Sequence, residues 1–133
     1  MKKANIAILL DCLESINYYD CDDCEEIMSS VDFSDDREVK ALIKYRIQLD
    51  FCMRTRGYQE LFKDTLEYCL SKGDFDFESF IANSYVILLP PMTYRKFFGF
   101  IWEVFYGTEL YHVSEDDMRN YEVLENWKDI EKM

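Results

Sequence analysis

Histidine occurs once in this sequence, at His112, so any Cys-His or Ser-His catalytic arrangement would have to pass through that single residue. Glycine occurs four times, which leaves little material for a phosphate-cradling loop, and no Gly-x-Ser-x-Gly or His-Glu-x-x-His pattern is present. Apolar runs are short, and none approaches the ~20 residues of a membrane span. Basic residues are scarce beside acidic ones, 15 Lys+Arg against 27 Asp+Glu, for a net charge of -12. A surface of that sign repels DNA, RNA and anionic membranes and draws a basic partner inward. Catalysis, a cofactor, direct nucleic-acid binding and a membrane role are therefore not expected.

Met1-Lys2-Lys3 ahead of the apolar run Ala4 to Leu10 imitates a secretory signal, but Asn5 interrupts the run and Asp11 stops it without a small-residue cleavage site. It reads as an opening helix. Five cysteines, an odd number without an export signal, suit a reducing cytoplasm.

What is present is core material. Apolar residues make up 49% of the 133 residues and aromatics 17%, enough for residues 1–133 to form one domain without disulfide or metal support. Helical periodicity recurs along most of the chain, which predicts an all-α (mostly α) fold, a single compact bundle of five to seven helices. The first helix is expected at about 3–17 and a second at about 21–30, capped by Asp20. A longer helix should open at Ser34 or Asp35 with Glu38 reaching back, bury Val39, Leu42, Ile43, Ile47, Leu49 and Met53, and end at Gly57. The next spans about 58–71. Phe75 to Leu89 is ambiguous, because Tyr85-Val86-Ile87-Leu88-Leu89 also reads as a short buried strand near 84–89, and Pro90-Pro91 closes it either way. Residues 92–106 are apolar nearly all round, as in a central helix or one that offers a second face to a partner. A last helix should begin at the Ser114 cap and run toward the C-terminus with Met118, Tyr121, Leu124 and Trp127 inward.

Cys21-Asp-Asp-Cys24 raises the question of metal or redox chemistry. A zinc site needs about four N or S ligands, and beyond this pair the chain offers only His112 and the scattered Cys12, Cys52 and Cys69. The acids around the pair would raise a thiol pKa rather than activate it. On a helix, Cys21, Cys24, Met28 and Val31 share one stripe, so the cysteines read as core residues under an acidic face.

That acidity is unevenly spread. Residues 20–38 hold Asp20, Asp22, Asp23, Glu25, Glu26, Asp32, Asp35, Asp36 and Glu38 against Arg37 alone, and residues 109–131 hold a second acidic block that includes Glu115, Asp116, Asp117 and Glu122. Blocks of like charge weaken a fold by self-repulsion unless a partner neutralises them, although an acidic surface also serves solubility. Ten tyrosines and two tryptophans add groups that favour interfaces, and Tyr18, Tyr19, Tyr111 and Trp127 lie in or beside the two blocks. The expected contact surface is therefore Tyr18, Tyr19, Asp20, Asp22, Asp23, Glu25 and Glu26 together with Tyr111, Glu115, Asp116, Asp117, Glu122 and Trp127.

In its overall character the chain resembles bacterial toxin-immunity proteins, including those paired with contact-dependent growth-inhibition toxins. The resemblance implies a cytoplasmic inhibitor, monomeric or weakly dimeric, that binds and neutralises a basic protein, in the first instance a cognate nuclease toxin domain. A DNA-mimic anti-defence protein would use the same acids, and small viral helical-bundle antagonists or adaptors of host signalling share the same acidic, motif-free character.

Overall fold

The helical pattern breaks at the N-terminus, where pairing with a distant segment overrides local periodicity. In the computed structural model, which describes residues 2–16, 23–81 and 88–133, the chain opens with strand β1 (Lys2–Asn5) rather than the expected helix. β1 lies parallel to β2 (Tyr121–Leu124), with Lys2 opposite Tyr121 and Asn5 opposite Leu124. The run Ala4 to Leu10 is short enough to suit either state. The backbone groups of β2 decide it, and the Ile6 N–H extends the pairing by donating to the Leu124 carbonyl at 2.7 Å. Helix α1 (Ala7–Asp11) follows, then a 3-10 turn at Glu14–Ile16.

Helix α2 (Cys24–Ser30) buries Met28 against the core, while Glu25 and Glu26 face water. The expected cap Asp20, its neighbours Tyr18, Tyr19, Cys21 and Asp22, and the 84–87 part of the strand reading lie outside the described residues.

Helix α3 (Asp36–Leu42) is capped by Asp35, whose carboxylate accepts from the Arg37 N–H at 3.0 Å, and Glu38 reaches back to the Asp32 N–H at 3.2 Å. It continues through a π-helical stretch, Ile43–Gln48, into α4 (Leu49–Cys52). Val39, Ile43, Ile47 and Phe51 recur at strict four-residue spacing, which drifts off the face of a 3.6-residue helix and is kept in line by the wider turn. That stripe packs inward. Tyr45, Leu49 and Met53, offset from it by two residues, lie outside instead, with Met53 87% exposed; the expected burial of Leu49 and Met53 is thus reversed. The turn into α5 (Arg56–Ser71) comes earlier than Gly57. Thr55 is the cap, accepting from the Tyr58 N–H at 3.1 Å, and Gly57 sits within the first turn of α5.

Helix α6 (Phe77–Ile81) leads toward the Pro90-Pro91 turn, and Leu88 and Leu89 have no regular structure. Helix α7 (Tyr94–Tyr106) starts at Thr93, whose hydroxyl accepts from the Lys96 N–H, and stops at Gly107, whose φ of 63° suits only a residue without a Cβ. α7 buries Phe97, Phe98, Ile101 and Trp102 but leaves Phe100 and Val104 only half-buried, so it is not enclosed all round. The last expected helix is divided into α8 (Glu115–Met118), β2 and α9 (Trp127–Glu131), because the β1 edge captures the intervening segment. Met118, Tyr121 and Leu124 are half-buried, and Trp127 stays 40% exposed.

The fold is thus mostly α-helical with one short parallel pair, and its helices are shorter and more numerous than expected, nine α-helical segments among the described residues. Helix α5 lies centrally against β1, α1 and α7. Phe51, Phe62 and Phe105 join α4, α5 and α7 through ring centroids 4.5–5.7 Å apart. Lys40 to Glu103 at 2.9 Å and Lys96 to Asp36 at 3.4 Å tie α3 to α7 in both directions.

Buried polar groups hold the ends together. Asn5, 1% exposed, uses its backbone N–H to donate to the Thr65 hydroxyl at 3.0 Å and its amide N–H to donate to the Asn126 carbonyl at 2.9 Å. Its side-chain oxygen accepts from the Asn126 N–H at 3.0 Å and the Ala7 N–H at 3.3 Å. Leaving such groups unpaired costs about 1–3 kcal/mol each. Asn5→Ala should therefore lower unfolding free energy by about 2–4 kcal/mol, and Thr65→Val by about 1–3 kcal/mol, measured by urea denaturation. Losses below about 0.5 kcal/mol in both variants would show that the clasp does not hold the termini.

Candidate functional site

Helix α5 sorts its residues by face. Tyr58, Phe62, Thr65, Leu66 and Cys69 turn inward, and Glu60, Lys63, Asp64 and Glu67 line the outer side at three- and four-residue spacing. The return of β2 to β1 then sets Lys2 and Tyr121 beside that outer side, since the two are register partners. The chain reaches β2 by way of Val113, whose N–H donates to the Ser71 hydroxyl at 3.0 Å, and of α8, capped by the Ser114 hydroxyl on the Asp117 N–H at 3.1 Å.

These elements enclose a cleft of about 300 Å³ walled by Lys2, Glu67, His112, Asp117, Asn120 and Tyr121. Glu67 is half-buried, and that desolvation lifts its carboxyl above the ordinary range, with Asp64 and Glu109 adding to the rise and Lys2 and Lys63 opposing it. Burial, followed by the charges of Asp64, Glu67 and Asp117, pushes the Tyr121 hydroxyl up to about 12, so it stays protonated at neutral pH. Its ring packs on Tyr68 with centroids 4.9 Å apart. Lys2 lies 3.8 Å from Asp64.

A second, wider groove of about 730 Å³ runs along α7, with Leu70, Gly99, Phe100, Trp102 and Tyr111 among its walls. The segment bordering it is pinned, because the Trp102 indole N–H donates to the Glu109 carbonyl at 2.6 Å and Lys63 grips the Glu109 carboxylate at 2.8 Å. Tyr111 meets Trp102 edge-on, while Leu110 remains 89% exposed.

The second acidic block follows this segment in the chain and is largely exposed. Glu115, Asp116 and Asp117 form the first turn of α8, and Glu122 projects from β2. Tyr111 and Trp127 are exposed enough to be touched. Of these acids, Asp116 alone has an ion pair among the described residues, with Arg119. In the first block, Asp23 is bound by both terminal nitrogens of Arg46, at 3.1 and 3.3 Å, and so is partly neutralised within the fold, whereas Glu25 and Glu26 are exposed. Tyr18, Tyr19, Asp20 and Asp22 lie outside the described residues.

Two of the thiols are packing groups, while Cys52 is exposed. Cys12 and Cys69 are buried and their pKa values are pushed up by desolvation, Cys69 to about 12. Among the described residues no group of three or more His, Cys, Asp or Glu is arranged to hold a metal ion, and no helix is long and apolar enough to cross a membrane. An interior network links Asp11, Tyr58 and Arg54, with the Tyr58 hydroxyl donating to Asp11 at 2.6 Å and Arg54 bridging Asp11 and Asp50 at 3.4 and 3.2 Å. It fastens α1 to the start of α5 and is closed to a ligand by its own pairing. Comparison with known protein families, with curated proteins and with solved structures returned no match.

Lys2, Glu67 and Tyr121 escape a sequence reading because they are far apart in the chain and carry no shared motif. His112, the single histidine of the sequence, is an exposed loop residue that lines the cleft. Because Glu67 holds its proton more tightly in the fold than in the unfolded chain, its ionisation costs stability. The cost is absent below about pH 4 and complete once pH exceeds the raised value. Glu67→Gln should accordingly raise the melting temperature at pH 7 relative to the parent, and the gain should vanish near pH 4. A gain of equal size at both pH values would assign it to packing instead.

Proposed function

We propose that this protein binds and neutralises a basic protein, in particular a nuclease toxin domain, as bacterial immunity proteins do. The observation that supports the reading is exposure without pairing: Glu115, Asp117 and Glu122 of α8 and β2 are exposed and make no ion pair among the described residues, and Tyr111 and Trp127, on neighbouring segments of the chain, are exposed as well. Carboxylates there would engage the lysines and arginines with which a nuclease holds its nucleic acid, and the aromatic groups would supply desolvated anchors. Inhibition would be steric and electrostatic. A net charge of -12 supports rapid, long-range capture of such a partner.

The acids of the first block, Glu25 and Glu26, would add long-range attraction. Asp23 would contribute less, since Arg46 already holds it. The second patch therefore carries more of the short-range binding.

The experiment is capture of the tagged protein's partner from extract at low salt, elution by a salt gradient, identification by mass spectrometry and assay of nuclease activity in the bound state. A basic nuclease domain, silent while bound and released at high salt, is the expected outcome. Reversing charge together at Glu115, Asp117 and Glu122 to Lys should slow association by about tenfold or more, with circular dichroism unchanged. Retention of nothing basic, or association indifferent to those reversals, defeats the reading.

A further inference from the structure

The cleft beside α5 is not needed for a flat acidic contact, yet it gathers chemistry that such a contact does not explain. Glu67, His112, Asp117 and Asn120 line it, and their side chains make no hydrogen bond or ion pair with any described residue; the last three are open to water, whereas Glu67 is half-buried. For Glu67 this is costly, because a half-buried carboxylate loses water and gains no fixed donor in return.

We infer that this cleft is a binding site for an organic cation, a guanidinium or primary ammonium group, held by the Glu67 and Asp117 carboxylates against the Tyr121 ring. Charge sets the sign of the ligand. Among the lining residues Glu67 and Asp117 outnumber Lys2, and Lys2 lies 3.8 Å from Asp64, which partly offsets its charge. An anion would meet two carboxylates. The absence of a metal-holding cluster among the described residues turns the choice away from a bare divalent ion. An aromatic wall points the same way, since a planar or alkyl-bearing cation gains from a ring face and from paired carboxylate oxygens. The Tyr121 hydroxyl and the Asn120 amide supply neutral hydrogen-bonding groups to the same space. At about 300 Å³ the cleft is at the small end of ligand sites and suits one side chain or a small amine rather than a nucleotide.

The site stands whether the cation is a side chain of a protein partner or a free small molecule. The test is a titration of the full chain, followed by amide nitrogen–proton NMR, with an arginine amide blocked at its amino end and with the citrulline counterpart, which replaces guanidinium by a neutral urea. Saturable shifts should centre on Glu67, His112, Asn120 and Tyr121 with the arginine probe, and both the citrulline probe and Glu67→Gln should weaken binding roughly tenfold. The spectrum of the Glu67→Gln variant itself reports that the fold is retained. Shifts that do not saturate, that spread over all acidic surfaces, or that are the same with citrulline overturn the site.

Repeating the titration on a complex with a captured basic protein separates the sources. Loss of the probe's shifts assigns the cleft to a partner side chain, and their persistence assigns it to a free small cation. If no basic protein is captured at all, the proposed inhibitor function fails, while the probe titration on the free chain still decides the cleft.

Discussion

The architecture depends on a single buried amide. Two parallel strands of four residues are too little sheet to persist alone, and the ends they join are more than a hundred residues apart. Asn5 makes the pairing durable by satisfying its own backbone N–H on Thr65 of α5 and spending both ends of its side chain on Asn126 and Ala7. One residue thereby fixes β1, the start of α1, the entry to α9 and the central helix to one another. The cleft beside α5 inherits that arrangement, because Lys2 and Tyr121 face each other only while the strands are in register.

The interior and the surface divide the chain's charges differently. Asp11 is buried but paired with the Tyr58 hydroxyl and Arg54, which removes the cost of an isolated charge. Arg95 crosses from α7 to donate to the carbonyls of Lys72, Gly73 and Phe75, meeting the acceptors that the end of α5 leaves open. Several of the scarce bases are thus committed to structure. The remaining acids therefore dominate the outside, most plainly at α8 and β2, where the first turn of α8 also favours negative charge. An acidic exterior is accordingly partly a consequence of where the fold uses its arginines and lysines.

Order and exposure coincide along 107–113. Gly107, the Trp102 indole and the Ser71 hydroxyl hold this segment at three points, yet Leu110 and Tyr111 remain open to water. An exposed apolar group on a pinned backbone loses little further freedom on binding, which is the condition under which such a group contributes most to recognition.

The mostly helical class, α5, α7 and the caps at Asp35 and Ser114 were legible in the sequence by itself, because apolar periodicity and capping hydroxyls or carboxylates act over three or four residues. The inward stripe of Val39, Ile43 and Ile47 was legible for the same reason, whereas Leu49 and Met53 were misread because a π turn changes the phase without any local mark. Tertiary structure alone decided that Lys2 to Asn5 and Tyr121 to Leu124 become strands, since each supplies the hydrogen-bonding edge that the other needs and neither carries that information locally. It alone also brought Glu67, His112 and Tyr121 into one cleft. Spacing can place acids on a helix face, but only the return of the chain's end to its beginning sets a half-buried carboxylate beside an aromatic ring more than fifty residues away.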